Sequence, residues 1–301
     1  MDQLHLMRIY IAVAEEEGFS AASRRLAMSP PAVTRAIAAL EDTLGVKLLN
    51  RTTRYVRTTD AGLRYLEDAK RIVQDVETAN EAAQGINAEP KGQLNVTAPV
   101  LFGQRHVLPG VVEYLKRYPQ TEVNAVFVDR TVNLLEEGFD VGIRIGALSD
   151  SSMRARKVGE VELILVASPT YLAESGMPLS PSDLNQHTIV NSGSNSFSHD
   201  WYFLQGNKKS LHRIKPRLNV TTNQAAINAV KLGLGITRVV SYQVEEELKN
   251  GTLELVLPQY QLPPLPVHVI HREGQFSSAK IRTFIDLMAA HLTKTFQAQQ
   301  S

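Results

Sequence analysis

FSAASRRLAMSPPAVTRAIAALEDTLGVKLLNRTTRYVRTTDAG, residues 19–62, decides how the first part of the chain folds. Ser20 is placed to cap a short helix from Ala21 to Leu26, since its hydroxyl can accept from a first-turn N–H. After Ala27-Met28-Ser29 another helix opens, with Ser29 as N-cap and Pro30 and Pro31 behind it. Proline is tolerated there because first-turn N–H groups have no partner inside the helix. Val33, Ile37, Leu40 and Leu44 recur at spacings of three and four and give this helix one buried face, while Gly45 supplies its stop. Helix, three-residue turn, helix is the helix-turn-helix geometry, with the second helix free to enter a major groove. An ordinary pair of packed helices has the same spacing.

The flanking residues separate the two readings. Upstream, Leu4, Leu6, Met7, Ile9, Tyr10, Ile11 and Val13 form an apolar helical stripe ending near Gly18. Downstream, Val46 to Leu49 and Tyr55 to Thr58 read as short strands around the basic tip Asn50-Arg51-Thr52-Thr53-Arg54. A basic β-hairpin directly after the third helix is the order a winged helix-turn-helix requires. Charge agrees. From Gly18 to Thr58, seven basic residues (Arg24, Arg25, Arg35, Lys47, Arg51, Arg54, Arg57) face two acidic ones (Glu41, Asp42), a local +5 in a chain of net +1. Such a field attracts phosphate.

With Phe19-Ser20, Ala21-Ala22, Leu26, Ser29, Pro31-Ala32, Arg35, Ile37, Leu40-Glu41, Leu44-Gly45, Leu48, Arg51-Thr52, Thr59 and Ala61-Gly62 in this order, the stretch resembles the DNA-binding head of LysR-type transcriptional regulators. The resemblance implies that Pro30, Pro31, Thr34 and Arg35 face the major groove, that Ser29 also contacts DNA, and that the wing residues Arg51, Thr52 and Arg54 lie along the backbone or minor groove. Arg35 suits guanine or phosphate, Thr34 offers a hydroxyl and a methyl, and the prolines can meet a thymine methyl. The family often carries glutamine where this chain has Pro30, so operator preference does not transfer.

From Thr59, with Asp60 beside the positive helix end, no proline intervenes before about Asn87. That predicts a linker helix over 59–87, about 43 Å long. Leu66, Ala69, Val73, Val76 and Ala83 line one narrow seam, with Asn80 on the same stripe. A second copy is the usual cover for such a seam, and packing on its own chain is the alternative. The resemblance favours pairing, as a homodimer or homotetramer on a two-fold operator.

Beyond the break at Asn87 to Gly92, apolar strands alternate with helices, predicting an α/β domain over 92–301 with a mostly parallel sheet. Segments 161–166 and 265–270 suit the crossings of a two-lobed, Rossmann-like fold of the periplasmic-binding-protein type. Lobe I is then about 92–165 and 267–301, and lobe II about 166–266. FGQRHVLPGVVEYLKRYPQTEV, EEGFDVGIRIGAL, LVASPTYL and AVKLGLGI resemble the LysR-type effector domain, and the first with DVGIRIGALSDSSMRAR resembles its CrgA-like subgroup. The resemblance implies a small-molecule effector. Ligands in such sheets gather at the carboxyl ends of strands. The candidate contacts are therefore Thr97, Pro99, Asp129, Arg144, Gly146, Ser192, Thr222 and Asn223, with Phe102 as an apolar wall. Helix N-termini at that edge favour an anion or carboxylate. Gly233-Leu234-Gly235 lies in no phosphate-loop pattern and reads as a helix-to-strand turn.

Composition narrows the rest. The chain has no cysteine, so disulfides and thiol sensing are excluded. Eight scattered histidines form no HExxH or HxH pair, and no metal or cofactor is implied. No apolar run approaches the roughly 20 residues of a membrane span, and Met1 to Tyr10 is not a signal peptide. Cytoplasmic residence is expected. The sequence carries no GxSxG, no cysteine and no phosphate-loop pattern, and its serines, histidines and carboxylates sit in no triad motif, so an enzyme is not expected. A solute-binding sensor with non-specific or architectural DNA binding is the alternative to an operator-specific regulator. The expected partners are an operator duplex, an effector, a second copy and RNA polymerase.

Overall fold

The computed structural model describes residues 2–51, 56–83, 89–148, 153–193, 198–272 and 278–299. Two compact units emerge, Met1–Ala88 with Phe276–Ala279, and Glu89–Gln275 with Lys280–Ser301.

In the first unit α1 (Gln3–Glu15), α2 (Phe19–Arg25) and α3 (Pro30–Leu44) enclose Leu6, Ile9, Tyr10, Val13, Ala22, Val33, Ile37 and Leu40. Ser20 is not the cap of α2. The helix starts earlier, with Gly18 as N-cap, because Phe19 already packs on this core. Ser29 is the N-cap of α3, and Gly45 ends it in the left-handed region at φ 67°.

The wing strands β1 (Leu49–Arg51) and β2 (Val56–Thr58) pair antiparallel with Leu49 opposite Thr58. β1 starts three residues later than the expected Val46–Leu49 and takes in Asn50 and Arg51, which were expected in the tip, while residues 52–55 lie outside the described residues. Residues 46–48 are held by α3 instead of by a strand. The buried Glu41 carboxylate accepts the N–H groups of Leu48 at 3.0 Å and Leu49 at 3.2 Å, and the Lys47 ammonium at 2.8 Å. One acidic residue thus fixes where the wing leaves the helix.

Thr59 caps α4 (Asp60–Ala83), its Oγ1 accepting from Gly62 N at 2.9 Å. Residues 84–87 of the expected linker lie outside the described residues. The first half of the predicted seam is covered by the same chain, because Ala69 and Val73 pack on Met7 of α1. Lys70–Glu15 at 2.6 Å and Arg8–Glu77 at 3.0 Å flank that contact.

The second unit contains β3 (Gly92–Ala98) and a helix in three parts: α5 (Val100–Phe102), a π-helical turn Gly103–Val107, and α6 (Leu108–Arg117). There follow β4 (Thr121–Phe127), β5 (Val141–Ile145), β6 (Met153–Val161), β7 (Leu163–Ala167), α7 (Pro169–Ser175) and β8 (Ile189–Ser192). Next come β9 (Asp200–Gln205), β10 (Lys208–Arg213), β11 (Pro216–Val220), α8 (Asn223–Lys231), β12 (Ile236–Val240), α9 (Glu245–Lys249), β13 (Glu254–Val256), β14 (Leu265–Arg272) and α10 (Ala279–Gln299). Lobe I holds the sheet β4-β3-β5-β14-β6, and lobe II the sheet β11-β8-β12-β7-β13.

Both sheets are mixed, which corrects the expectation of mostly parallel pairing. In lobe I, β14 runs antiparallel to β5 and β6. In lobe II, β7 runs antiparallel to β12 and β13. These are the strands next to the exchanges between lobes, at Glu162 and at 257–264, where the chain enters each sheet from the opposite end.

His106, on the π-helical turn, packs its ring on Phe102 at 4.9 Å and edge-on to Tyr242 at 5.7 Å. Burial, with Arg105 and His291 adding like charge, lowers its pKa to about 4. An unfolded histidine titrates near 6.5, so between these values the unfolded chain binds more protons than the native one. Stability is therefore expected to fall as pH drops from about 6.5 towards 4 and to stay level above. Denaturation midpoints of the wild type and His106→Phe across this window check it; the variant's profile should be flatter.

Candidate nucleic-acid interface and lobe-II pocket

On α3 the positions facing the core are Val33, Ala36, Ile37 and Leu40. Ser29, Pro30, Pro31, Thr34 and Arg35 are all exposed, and their i, i+4 spacing sets 30 with 34 and 31 with 35 on one face. The Thr34 hydroxyl donates to Pro30 O at 3.0 Å, leaving its methyl outward. Ser29 makes no side-chain capping bond, so its hydroxyl is not used to cap α3. Two prolines remove two first-turn donors, and Ala32 and Val33 both donate to Ser29 O. This helix end therefore has few N–H groups to offer a phosphate, and the side chains must make the contacts.

The basic field is narrower than the count of charges suggested. Arg25 is paired with Glu15 at 2.8 Å and Glu16 at 3.3 Å, and Lys47 with Glu41. Arg24, Arg35 and Arg57 are exposed and have no ion pair among the described residues. Thr52, Arg54 and the side chain of Arg51 lie outside the described residues.

The candidate effector residues scatter. Thr97 is buried at the end of β3, and Pro99 is the N-cap of α5. Phe102 is fully buried among His106, Tyr242 and Phe296, so it walls no cleft. It sits inward because α5 covers the sheet with that face. Asp129 accepts from Val100 N at 2.9 Å and so serves the start of α5. The Arg144 guanidinium is engaged by the carbonyls of Val132 and Arg130, bracing the segment after β4. Gly146, at φ 109°, donates its N–H to Pro266 O at 2.9 Å.

Ser192 and Asn223 come together, Ser192 Oγ donating to Asn223 Oδ1 at 2.5 Å. Thr222 caps α8 by accepting from Ala225 N at 3.2 Å. Ser192 and Asn223 line a cavity of about 180 Å³ with Leu163, Asn191, Trp201, Arg238, Val239 and Val240. Trp201 and Arg238 were not among the residues expected from sequence. Trp201 comes from the β9–β10 hairpin, closed through Gly206 at φ 61°. Gly206-Asn207 between two alternating runs was the signal that could have found it. Arg238 interrupts the apolar strand Ile236-Thr237-Arg238-Val239-Val240, a charge where a buried strand would carry none.

Known proteins agree with this architecture. Residues 4–63 match the model described as bacterial regulatory helix-turn-helix protein, lysR family, and residues 87–293 match the LysR substrate binding domain. The chain is 33% identical to the uncharacterized HTH-type transcriptional regulator YhjC of Escherichia coli K12, over 96% of this chain and 97% of that one. It is 32% identical to the HTH-type transcriptional activator AaeR of the same strain, over 98% and 95%. The full-length Vibrio cholerae virulence activator AphB superposes with a TM-score of 0.63 at 28% identity, over 96% and 98% of the two chains. CrgA of Neisseria meningitidis does so at 0.61 and 28%, over 96% and 98%. The exposed face of α3, the wing behind it and the two-lobed body thus belong to a transcriptional regulator of the LysR family, with a DNA-binding helix-turn-helix and an effector-binding domain.

Proposed function

We propose that the chain reads a specific operator through α3 and switches its grip when a small anionic effector binds in the second unit. Arg35, Thr34 and the two prolines contact base edges, Ser29 contacts the backbone, and the wing residues Arg51, Thr52 and Arg54 follow the backbone or minor groove. The observation that supports this most is the outward face of α3, where Arg35 stands exposed and without an ion pair among the described residues.

Effector binding shifts the balance between two arrangements of an oligomer, and only differential affinity for the two drives the shift. Val76 and Asn80, in the second half of α4, are the surface through which copies pair. Among the described residues no helix is long and apolar enough to cross a membrane. Removing residues 1–91 is expected to leave a folded fragment that binds acids and no longer binds DNA. Circular dichroism and acid-induced thermal shifts check this, and an unfolded product would contradict the boundary.

A further inference from the structure

Lobe II contains a guanidinium, that of Arg238, without a hydrogen-bond or ion-pair partner among the described residues. β12 turns Ile236 and Arg238 to the side of the sheet covered by the β9–β10 hairpin, while Val239 faces the core on the other side. There the Arg238 guanidinium lies 5.0 Å from the Trp201 ring centroid. Among the described residues it has no carboxylate and no hydrogen-bond acceptor, and burial lowers its pKa to about 10. An aromatic face balances part of the charge but accepts none of the five N–H donors of arginine. Those donors point along the ring plane, so arginine can stack on Trp201 and still present a two-pronged edge to a partner.

The cavity beside it fits one kind of partner. At about 180 Å³ it is smaller than the 300–1,000 Å³ typical of sites for drug-sized ligands. Most of its exposed lining is polar, from Arg238, Asn191, Ser192 and Asn223, with Leu163 and Val240 supplying a smaller apolar part. Asn191 already donates to Ser198 O and Asn219 Oδ1, both at 3.3 Å. One cation beside neutral amide and hydroxyl groups suits a single carboxylate better than a phosphate, which takes several cationic or N–H donors.

We infer that this cavity binds a small organic monocarboxylate, its two oxygens on the Arg238 guanidinium and its body against Leu163 and Val240. The assignment rests on the reading of the second unit as the effector-binding part. It places the anchor on β12 of lobe II instead of on Arg144 or at the start of α5.

The test uses the full chain, titrated calorimetrically with benzoate and with butanoate at constant ionic strength, against benzamide and butanamide as uncharged counterparts. Trp201, the only tryptophan, gives a second readout. At least one acid should bind saturably and change Trp201 emission, with its amide at least about tenfold weaker. Arg238→Gln should weaken that acid by about tenfold or more. Asn223→Asp adds a carboxylate to the lining without touching the guanidinium, should weaken it similarly, and keeps the test decisive if Arg238→Gln does not fold. Failure of both acids to bind at millimolar concentration overturns the inference, as does equal binding by wild type and Asn223→Asp. Acids that alter DNA affinity equally in wild type and both variants would leave the effector reading standing and remove Arg238 from it. Acids that bind through Arg238 without altering DNA affinity would leave the pocket and remove the switch.

Discussion

Replacing Arg35 by alanine is expected to abolish operator-specific DNA binding while leaving the fold unchanged. Arg35 is exposed and has no ion pair among the described residues, so its loss should alter stability by less than about 0.5 kcal/mol. A bidentate contact to guanine discriminates by about 1–3 kcal/mol. In a dimer each head loses this contact once, and the two losses compound. Arg35→Lys separates the two roles open to the side chain: lysine keeps a charge for a phosphate but loses the planar fork. Specificity lost in both variants places Arg35 on a base, whereas near-normal binding by the lysine variant places it on the backbone. Fluorescence anisotropy on a selected duplex, at several salt concentrations, distinguishes these outcomes.

The largest stability effect is expected at Gly62. A Cβ there would lie 2.0 Å from Leu48 O and 2.9 Å from the Tyr10 hydroxyl. Neither neighbour can yield cheaply. Leu48 is held through its N–H by the buried Glu41 carboxylate, and the Tyr10 hydroxyl donates to Gly62 O at 2.8 Å. Burial, with Glu41 and Tyr65 adding, raises the Tyr10 pKa to about 12, so the phenol remains a donor across the working range. Gly62→Ala must therefore shift backbone where α4 meets the wing, and should destabilise the first unit by more than about 3 kcal/mol. Gly45→Ala is the comparison. It meets nothing within 4 Å and strains only a left-handed φ, costing about 1–2 kcal/mol. Denaturant titration of the full chain, followed by helix signal and by DNA binding, should rank the two variants in that order.

What was legible in the chain was what neighbours in sequence decide. α3 is bounded by its own Ser29, prolines and Gly45, and α8 begins after Thr222 as its pattern requires. The wing followed from residues 46–58, although its first strand is displaced from 46–49 to 49–51, because a partner not adjacent in sequence, Glu41, holds the chain at Leu48 and Leu49. The lobe-II pocket lies at the opposite extreme. Ser192, Trp201, Asn223 and Arg238 stand on β8, β9, α8 and β12, and no local pattern announces that these four meet. Phe102 shows the converse failure: an aromatic at the carboxyl end of a strand read as a cleft wall, yet the helix turned it into the core. The linker seam fell between the two, since periodicity identified the apolar face of α4 without saying that α1 would cover its first half.

The most direct measurement is selection of duplexes from a random library by the full chain, in parallel with Arg35→Ala. The wild type should enrich a two-fold symmetric motif whose half-sites lie about 10 base pairs apart or a multiple of that, and Arg35→Ala should enrich nothing. An unenriched wild-type pool, or the same motif recovered by Arg35→Ala, would contradict operator reading through α3.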